Sequence, residues 1–346
     1  MRTDAHSDSK TGSERKDTMM SAEMQAAVLR KHATPPEYLQ WSIPERGKGQ
    51  ALVRVLAAPI SPLDLLCASG TSYFGAPKLP YIPGTQGIGI VMEADALAPE
   101  QRVWFSCDAG MKSGNGSMAQ YCLIEEASAL ALPAEIESDL AAALGLSAIA
   151  AWMALTWRGR LQPGEQVLVL GASGAVGQVA VQAARLLGAG RVIAASRDKN
   201  GRALALSRGA DAVVDLSGGD VDEISRRIAA ACDGPLHLII DPVWGLPAEA
   251  AARALAPEGR FVNIGSAAGA SARFESAIVR SRLHAILGYT NNALTHEQKA
   301  LALTQILAHA AAGRCTVERE MVPLEQVAQA WERQAAFARR KFILVP

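Results

Sequence analysis

QVLVLGASGAVG, residues 166–177, decides the fold of this chain, because a short apolar run passes directly into glycines and then into a helical pattern. Gly174 and Gly177 take the second and third glycine positions of a GxGxxG motif, and Ala172 stands at the first. The second glycine of this motif lets the backbone approach a pyrophosphate, and the third lets helix and strand pack closely. A second strand is predicted at residues 192–195. The segment therefore predicts a dinucleotide-binding unit.

The turn and the ends of later strands supply the predicted cofactor contacts. Strands predicted at residues 212–216, 236–241 and 260–265 alternate with helical stretches, which indicates a parallel sheet. Ligands bind beyond the carboxyl ends of such strands. The residues predicted to bind the cofactor at the turn are Gly171, Ala172, Ser173, Gly174, Ala175, Val176 and Gly177. The residues predicted at the later strand ends are Asp241, Val243, Ile264, Gly265 and Ser266.

The end of the second strand indicates which dinucleotide is bound. An NAD site places a carboxylate there for the ribose hydroxyls, whereas this chain has Ser196 and Arg197, followed by Asp198 and Lys199. A hydroxyl and two cations suit the dianionic 2′-phosphate of NADP. We therefore predict that Ser196, Arg197 and Lys199 bind NADP(H). In the alternative interpretation these residues form a solvated loop, and Asp198 argues against NADP.

The composition limits the classes of function. The 346 residues are 49% hydrophobic, which is enough for two domains, and 34 Lys and Arg balance 34 Asp and Glu, so no nucleic acid partner is expected. Five separated cysteines favour a reducing compartment. Residues 1–22 are charged and lack an apolar signal core, which predicts a disordered tail and a cytoplasmic protein. The apolar residues 140–157 predict a buried helix and no membrane contact.

Two further regions flank the parallel sheet. Before it, short strands broken by Pro and Gly predict a β-rich domain, with strands at 51–56, 89–91, 102–105 and 116–123. After it, helices and strands alternate once more, at 296–312, 316–322, 324–338 and 342–345. We expect this last part to return to the first domain.

This order resembles the medium-chain dehydrogenase/reductase superfamily. The matching motifs are GASGAVG, IPGTQGIGIV from Ile82, GSMAQY from Gly116, GLSA from Gly145, DPVWG from Asp241 and the terminal KFILVP. The resemblance implies an α/β fold in which a Rossmann doubly wound parallel sheet accompanies a GroES-like β-rich catalytic domain. The implied domains are residues 23–145, completed by residues 290–346, for the GroES-like part and residues 146–289 for the Rossmann NADP-binding part. It also implies a homodimer.

Within the superfamily, the residues at the zinc positions separate the branches. Where zinc-dependent members have Gly-His-Glu this chain has Gly84, Thr85 and Gln86, and Ser61 stands where they place a ligand cysteine. Thr and Gln are not the ligand types that hold catalytic zinc, so no metal is expected. The chain is thus similar to the zinc-free quinone oxidoreductase and enoyl reductase branch. The implied substrate is a small hydrophobic molecule with a conjugated carbonyl, or a quinone, reduced by NADPH.

The same resemblance implies candidate side chains for the reaction. Tyr73 lies close to where enoyl reductases keep a tyrosine and is predicted to be a hydrogen-bond donor; alternatively it is a surface residue and solvent supplies the proton. Ser61 occupies the place of an asparagine near the nicotinamide, but with Asp64 it also fits a helix capping box. Ser147 matches a threonine that approaches the nicotinamide; alternatively its hydroxyl bonds back to its own helix.

Other interpretations stay open at this stage. Enoyl reduction is preferred to quinone reduction, and the rivals are a non-catalytic NADPH-binding module and a zinc-dependent alcohol dehydrogenase with displaced ligands. Turnover of NADPH and the metal content would distinguish them. Leu66, Trp152 and Trp244 are candidate walls of an apolar pocket, although such residues are more often part of a core.

Overall fold

The computed structural model describes residues 22–336 and 339–346. The predicted disordered tail, residues 1–22, lies outside the described residues except for Ala22. The elements of the first domain are β1 (Glu23–Val28), β2 (Glu37–Ser42), β3 (Gln50–Pro59), α1 (Pro62–Ala68), β4 (Gln86–Glu93), β5 (Arg102–Ser106), β6 (Tyr121–Glu125) and β7 (Ala129–Ala131). The long strand β3 is central, since it pairs antiparallel with β4 and with β6.

The nucleotide-binding unit alternates strands and helices, as the sequence predicted. Its elements are β8 (Gln166–Leu170), α3 (Ala175–Leu186), β9 (Arg191–Ser196), α4 (Lys199–Ser207), β10 (Ala212–Asp215), α5 (Val221–Ala231), β11 (Leu236–Asp241), α6 (Gly245–Ala254), β12 (Leu255–Asn263), α7 (Ser276–Ser281) and β13 (Ala285–Gly288). The six strands are all parallel, in the order β10-β9-β8-β11-β12-β13. The order reverses between β8 and β11, which is where a Rossmann sheet opens a crevice for its dinucleotide.

The C-terminal part returns to the first domain. It consists of α8 (His296–Ala311), β14 (Arg319–Pro323), α9 (Val327–Ala335) and β15 (Lys341–Val345). The strand β15 pairs with β3 and β14 pairs with β15, so the sheet of the first domain runs β14-β15-β3-β4-β5-β7. The strand β15 runs beside the segment that leads into α1, because Ile60 N–H donates to Phe342 O at 2.9 Å.

A long apolar helix joins the two parts. The helix α2 (Ser138–Met153) continues as a π-helical turn, Ala154–Arg158. By length and composition Ser138–Arg158 could cross a membrane, but 72% of its apolar window is buried inside the protein, as expected of a core helix. The helix packs against α3 and α8 and is interrupted at Gly145, whose φ of 26° and ψ of −126° are not helical.

Three sequence-predicted strands were misplaced. Residues 116–120 are not a strand: Gly116 N–H donates to Ile82 O at 2.7 Å, and a Cβ on Gly116 would lie 2.4 Å from Gly84 O, so two loops pack backbone to backbone. The strand β12 runs from Leu255 to Asn263, so it begins five residues before and ends two residues before the predicted 260–265, and Ile264 N–H still donates to Asp241 O at 2.7 Å. The strand β14 begins three residues later than predicted. The short edge strand β13 was not predicted.

Candidate active site

The glycine turn after β8 has the shape of a phosphate cradle. Gly171 adopts φ +60°, and a Cβ on Gly177 would lie 2.3 Å from Gly171 O, so only glycine lets α3 pack this closely. A Cβ on Gly174 would meet nothing nearer than Gly171 O at 3.6 Å, which leaves its face open. Gly174 is also the N-cap of α3 and offers no side chain to its first amides. Those amides and the helix dipole therefore fit a pyrophosphate.

The neighbours of these glycines divide into exposed and buried residues. Ser173, Ala175 and Val176 are partly exposed at the turn, whereas Ala172 is 1% exposed and its N–H donates to Ala195 O at 3.0 Å. Ala172 was predicted to contact the cofactor, but its side chain belongs to the core. Its backbone fixes the turn against β9 instead.

The turn after β11 is held by Asp241. Its Oδ1 accepts the N–H groups of Val243 (2.9 Å) and Trp244 (2.8 Å), and its Oδ2 accepts Asn263 Nδ2 at 3.2 Å. Asp241 is fully buried, and this burial raises the pKa of its carboxyl to about 6. Because no part of this side chain reaches solvent, its carboxylate supports the turn, and contact of Asp241 with the cofactor stays a prediction. The turn instead presents Val243 beside Gly171, where a Cβ would lie 2.6 Å from Val243 Cγ1.

The strand end after β12 lies against the same turn. Ile264 N–H donates to Asp241 O at 2.7 Å, and a Cβ on Gly265 would lie 2.9 Å from Pro242 O. Ile264 and Gly265 are partly exposed and Ser266 is exposed. The predicted strand-end residues Val243, Ile264, Gly265 and Ser266 are therefore gathered on one side of the crevice.

At the predicted 2′-phosphate site, after β9, the residues have different roles. Ser196 is 3% exposed; its hydroxyl donates to Ser173 Oγ at 2.9 Å and accepts Asp198 N–H at 3.1 Å. Asp198 caps α4 through Asn200 N–H at 3.0 Å, so the residue that argued against NADP has a structural role. Arg197 and Lys199 are exposed and form no ion pair within the described residues. They are free to meet an anion.

Across the crevice, Ser61 caps α1 in the predicted capping box. Its Oγ donates to Asp64 Oδ2 at 2.6 Å and accepts Asp64 N–H at 3.2 Å, and Ser61 N–H donates to Asp64 Oδ2 at 2.7 Å. Thr85 N–H donates to Asp64 Oδ1 at 2.9 Å, and the two hydroxyl oxygens of Ser61 and Thr85 are 3.4 Å apart. Burial raises the pKa of Asp64, while hydrogen bonds from Ser61 and Thr85 oppose that rise. The Ser61 proton is thus directed at Asp64.

A buried cation lies close enough to this network to interact electrostatically with Asp64. Lys341 is 1% exposed, and burial lowers the pKa of its ammonium to about 8, although the Asp64 carboxylate opposes the shift. Sequence reasoning treated the KFILVP motif only as a family match and missed this role. A lysine in an otherwise apolar terminal strand was the available signal, because lysine is seldom fully buried without a charged partner.

Gln86 connects this network to the break in α2. Its Oε1 accepts Leu146 N–H at 2.7 Å and Trp104 Nε1–H at 3.1 Å. A Cβ on Gly145 would lie 2.0 Å from that oxygen, so the helix can approach Gln86 only through a glycine. Ser147 follows directly and is 6% exposed; its hydroxyl makes no hydrogen bond within the described residues. The back-bond to its own helix, which was the alternative interpretation of Ser147, is absent among these residues.

The carboxyl end of the Rossmann sheet reaches the same point. Tyr289 N–H donates to Asn263 O at 2.9 Å, and the Tyr289 hydroxyl donates to Asn291 Oδ1 at 2.6 Å. Asn291 Nδ2 in turn donates to Leu146 O at 3.0 Å. Both faces of the crevice therefore meet at the α2 break. Sequence reasoning missed Tyr289 and Asn291, because nothing in their local pattern reports a contact with residue 146.

The residues present do not fit a catalytic zinc ion. Ser61, Thr85 and Gln86, at the positions where zinc-dependent relatives have ligands, are engaged in the hydrogen bonds just described. Within residues 22–336 and 339–346, no three His, Cys, Asp or Glu side chains lie together in a way that could hold a metal ion. The donor set is amide and hydroxyl, which binds zinc poorly.

Other predicted residues lie apart from this network. Tyr73 is 73% exposed on a loop, where it stacks on Phe74 at 4.2 Å between ring centroids. Trp152 is 7% exposed and donates to Gln305 Oε1, and Trp244 packs edge-on against Phe261. Trp152 is therefore part of the core and Trp244 packs, partly buried, against a core cluster, which is the more frequent of the two roles considered for them. Leu66 is 37% exposed.

Comparisons with known proteins agree with this architecture. Residues 47–134 match the family model of the alcohol dehydrogenase GroES-like domain, and residues 175–305 match that of the zinc-binding dehydrogenase. An alcohol dehydrogenase of Rhizobium meliloti (strain 1021) is 30% identical over 246 residues, 63% of this chain and 71% of that protein. Quinone oxidoreductase-like protein 2 of Rattus norvegicus is 32% identical over 210 residues, 60% of this chain and 57% of that protein.

Solved structures extend the likeness over almost the whole chain. A mycobacterial protein complexed with NADPH superposes with a TM-score of 0.82 over 93% of this chain and 100% of that one; at 21% identity this shows the fold alone. An NAD-dependent alcohol dehydrogenase superposes with a TM-score of 0.79, at 27% identity, over 93% of this chain and 100% of that one. The alignment with the rat relative spans little more than half of that relative's length.

Proposed function

Since the chain belongs to the medium-chain dehydrogenase/reductase superfamily, we propose that it is an NADPH-dependent, zinc-independent reductase of a quinone or of a carbon-carbon double bond conjugated to a carbonyl. The observation that carries the proposal is the meeting of two faces at the break in α2. The open phosphate cradle at Gly174 lies on the Rossmann side, Ser61 and Thr85 lie on the other side, and Ser147 lies at the break itself; the described residues hold no cluster that could bind a metal ion.

The acceptor class follows from the side chains at this site, which do not suit a zinc ion. Without a metal to polarise a carbonyl or an alcohol, the acceptor must already be electron-poor, as quinones and enones are. The names of several relatives, which are quinone oxidoreductases or proteins like them, support a quinone. Bound NADPH would supply the hydride.

The residues of this chain bind the coenzyme and orient it and the acceptor. The amides at the start of α3 hold the pyrophosphate, and Val243 packs beside the turn. Ser147 has an uncommitted hydroxyl at the α2 break, where it can hold the nicotinamide amide or the acceptor oxygen. The Ser61 hydroxyl is committed to Asp64, so it positions Thr85 and the start of α1 and keeps its proton. Solvent supplies the proton that completes reduction.

Preference for the phosphorylated coenzyme rests on the end of β9. The Asp198 oxygens already accept hydrogen bonds from Asn200 N–H and from the Arg339 guanidinium, so this carboxylate is partly neutralised. Arg197 and Lys199 are exposed and form no ion pair within the described part of the chain. This arrangement favours a 2′-phosphate over a bare ribose.

The test is turnover by the purified full chain. Oxidation of NADPH and NADH is followed with a naphthoquinone, with a simple enone and with a matched saturated ketone. We expect turnover with the quinone or the enone, faster with NADPH, and unchanged after treatment with a chelator. Nucleotide binding without turnover of any acceptor would instead identify a non-catalytic module, and a loss of activity with the chelator would identify a zinc enzyme. Either result refutes the proposal.

A further inference from the structure

Arg339 reaches the nucleotide site from the other domain. It lies just before β15, in the C-terminal return, and its Nη1 donates to Asp198 Oδ2 at 3.3 Å. Its Nε donates to Glu318 Oε2 at 2.5 Å. The guanidinium is thus beside the residue that caps α4, at the end where the adenosine ribose of a dinucleotide lies in this fold.

The backbone of Arg339 is tied to the glycine turn. Gln178, on the buried face of α3, donates through Nε2 both to Ser173 O (2.7 Å) and to Arg339 O (3.0 Å). The same side chain accepts Glu318 N–H at 2.9 Å through Oε1. The Gln178 side-chain amide therefore fixes the distance between the phosphate turn and the C-terminal segment. A buried residue thus holds the backbone of Arg339 in position.

The helix α4 closes the third side of this corner. A Cβ on Gly201 would lie 2.4 Å from Ser173 Cβ, so only glycine lets the helix lean against the turn. Ser196 and Ser173 join their hydroxyls beneath it. The corner between the turn, the start of α4 and Arg339 is consequently small, polar and open to solvent, since the side chains of Arg339 and Asp198 are 26% and 40% exposed.

Arg339 balances the negative charges of this corner. Asp198 and Glu318 are carboxylates, and a 2′-phosphate would bring a further dianion beside Asp198. Arg197 and Lys199 are exposed cations on the outer side, whereas Arg339 is the cation bonded to Asp198 itself. The hydrogen bond with Glu318 raises the pKa of Arg339, so it stays charged. Without it, an uncompensated Asp198 would repel the phosphate.

We propose that Arg339 is a specificity-determining residue for the coenzyme, which neutralises Asp198 and donates a charge-assisted hydrogen bond to the 2′-phosphate. The proposal deepens the proposed function and rests on its preference for NADPH. It assigns part of the nucleotide specificity to a residue outside the Rossmann unit, because the corner is completed only when the C-terminal segment has docked on α3.

Two small ligands that differ only in the 2′-phosphate isolate the effect. Calorimetric titration of the full chain with adenosine 2′,5′-bisphosphate and with adenosine 5′-monophosphate gives two affinities, whose ratio reports the contribution of the 2′-phosphate. In Arg339→Gln we expect the affinity for the bisphosphate to fall about tenfold, while that for the monophosphate stays within about twofold. Arg339→Lys keeps the charge without the planar fork and should lie between the two.

The matched control is Arg340→Gln, because Arg340 loses the same charge one residue later but pairs with Glu320. It should leave both affinities unchanged. An unchanged bisphosphate affinity in Arg339→Gln, or an equal loss for both ligands, would overturn the inference. If the wild-type chain binds the two ligands equally, the NADPH preference of the proposed function fails as well, and this outcome is recognised before any variant is made.

Discussion

Gln86 Oε1 accepts the backbone N–H of Leu146 at 2.7 Å, although the two residues are separated by 60 positions in the chain. The bond satisfies an amide that the interruption at Gly145 removes from the helical ladder. Trp104 Nε1–H is the second donor to the same Gln86 oxygen. A strand of the first domain therefore caps a broken helix that borders the second. The break sets where Ser147 lies.

Replacing Gln86 by Leu should destabilise the fold. The substitution leaves two buried donors, Leu146 N–H and Trp104 Nε1–H, without an acceptor, and each buried unsatisfied group costs about 1–3 kcal/mol. We expect the free energy of unfolding to fall by about 3 kcal/mol in urea denaturation. Gln326→Leu, at an exposed position, is the control and should change stability by less than about 0.5 kcal/mol. Equal effects of the two variants would show that Gln86 caps nothing.

Valine substitutions at two glycines of the turn should affect different properties, nucleotide affinity at one position and stability at the other. Gly174 has φ −76° and open space where a Cβ would stand, so Gly174→Val should fold with an unchanged melting temperature but lose NADPH affinity by at least about tenfold. Gly177→Val would place a Cβ 2.3 Å from Gly171 O, so it should fail to fold or melt far lower. Thermal unfolding and nucleotide titration measure both. Undiminished NADPH binding by Gly174→Val would show that the turn at Gly174 does not hold the phosphates.

The sequence predicted the elements whose signals are local. The strand β11 was placed at its observed bounds, because an apolar run ends at a single aspartate, and the capping box of Ser61 was recognised from four consecutive residues. The edge strand β13 was missed because it has only four residues, too short a run to distinguish a strand from a loop, and none of its residues is fully buried.

The roles that sequence reasoning missed at the site depend on contacts that are distant in sequence. Nothing near Gln86 indicates that it will meet residue 146, and nothing near Arg339 indicates Asp198. Asp241 looked like a ligand at a strand end, but the backbone amides of the following turn fold back over its carboxylate. The sequence thus predicts that polar residues gather at the carboxyl ends of the strands. It does not tell which of them touch the ligand and which hold the surrounding turns in place.

Tyr73→Phe tests whether the proton comes from solvent. Tyr73 is 73% exposed and its hydroxyl has no hydrogen-bond partner among the described residues, so it is not preorganised to donate to the acceptor. We expect kcat to stay within about threefold of the wild-type value, since a positioned general acid contributes roughly 10²–10⁴-fold. A hundredfold fall in kcat with unchanged NADPH affinity would establish Tyr73 as the acid that the sequence predicted.

Lys341 should make the stability of the protein depend on alkaline pH. Its folded pKa of about 8 lies below the ordinary value of 10.5, so between these values the unfolded chain binds more protons and the stability conferred by this residue rises with pH. Relative to Lys341→Met, the wild type should gain about 3 kcal/mol between pH 7 and pH 10.5. Measuring the difference cancels the other groups that titrate in this range.

Asp64 is the group that could confound this measurement, since burial raises its pKa and Lys341 opposes that shift. The same comparison in an Asp64→Asn background removes it. Denaturant unfolding at several pH values in all four proteins gives the two differences. A difference between wild type and Lys341→Met that is flat, or that shrinks as pH rises, would show that the ammonium is not buried in solution.

Finally, we propose that the exposed edge of the Rossmann sheet pairs with a second copy of the chain. The strand β13 is last in the sheet and pairs only with β12 among the described residues, while Ile286 is 41% and Leu283 is 69% exposed. A strand edge with unpaired backbone groups and apolar side chains invites pairing, and two identical edges can pair about a two-fold axis. Light scattering should therefore give twice the mass of 36.4 kDa.

Ile286→Lys places a charge in the centre of that edge and should convert the dimer to a monomer, because two lysines would face each other across the axis. Leu301→Lys is the matched control, since Leu301 is 63% exposed but lies on α8, away from the edge, and it should leave the mass unchanged. Both variants should keep the wild-type melting curve at high dilution. A wild-type monomer, or an Ile286→Lys protein that stays dimeric, would show that β13 is not the interface.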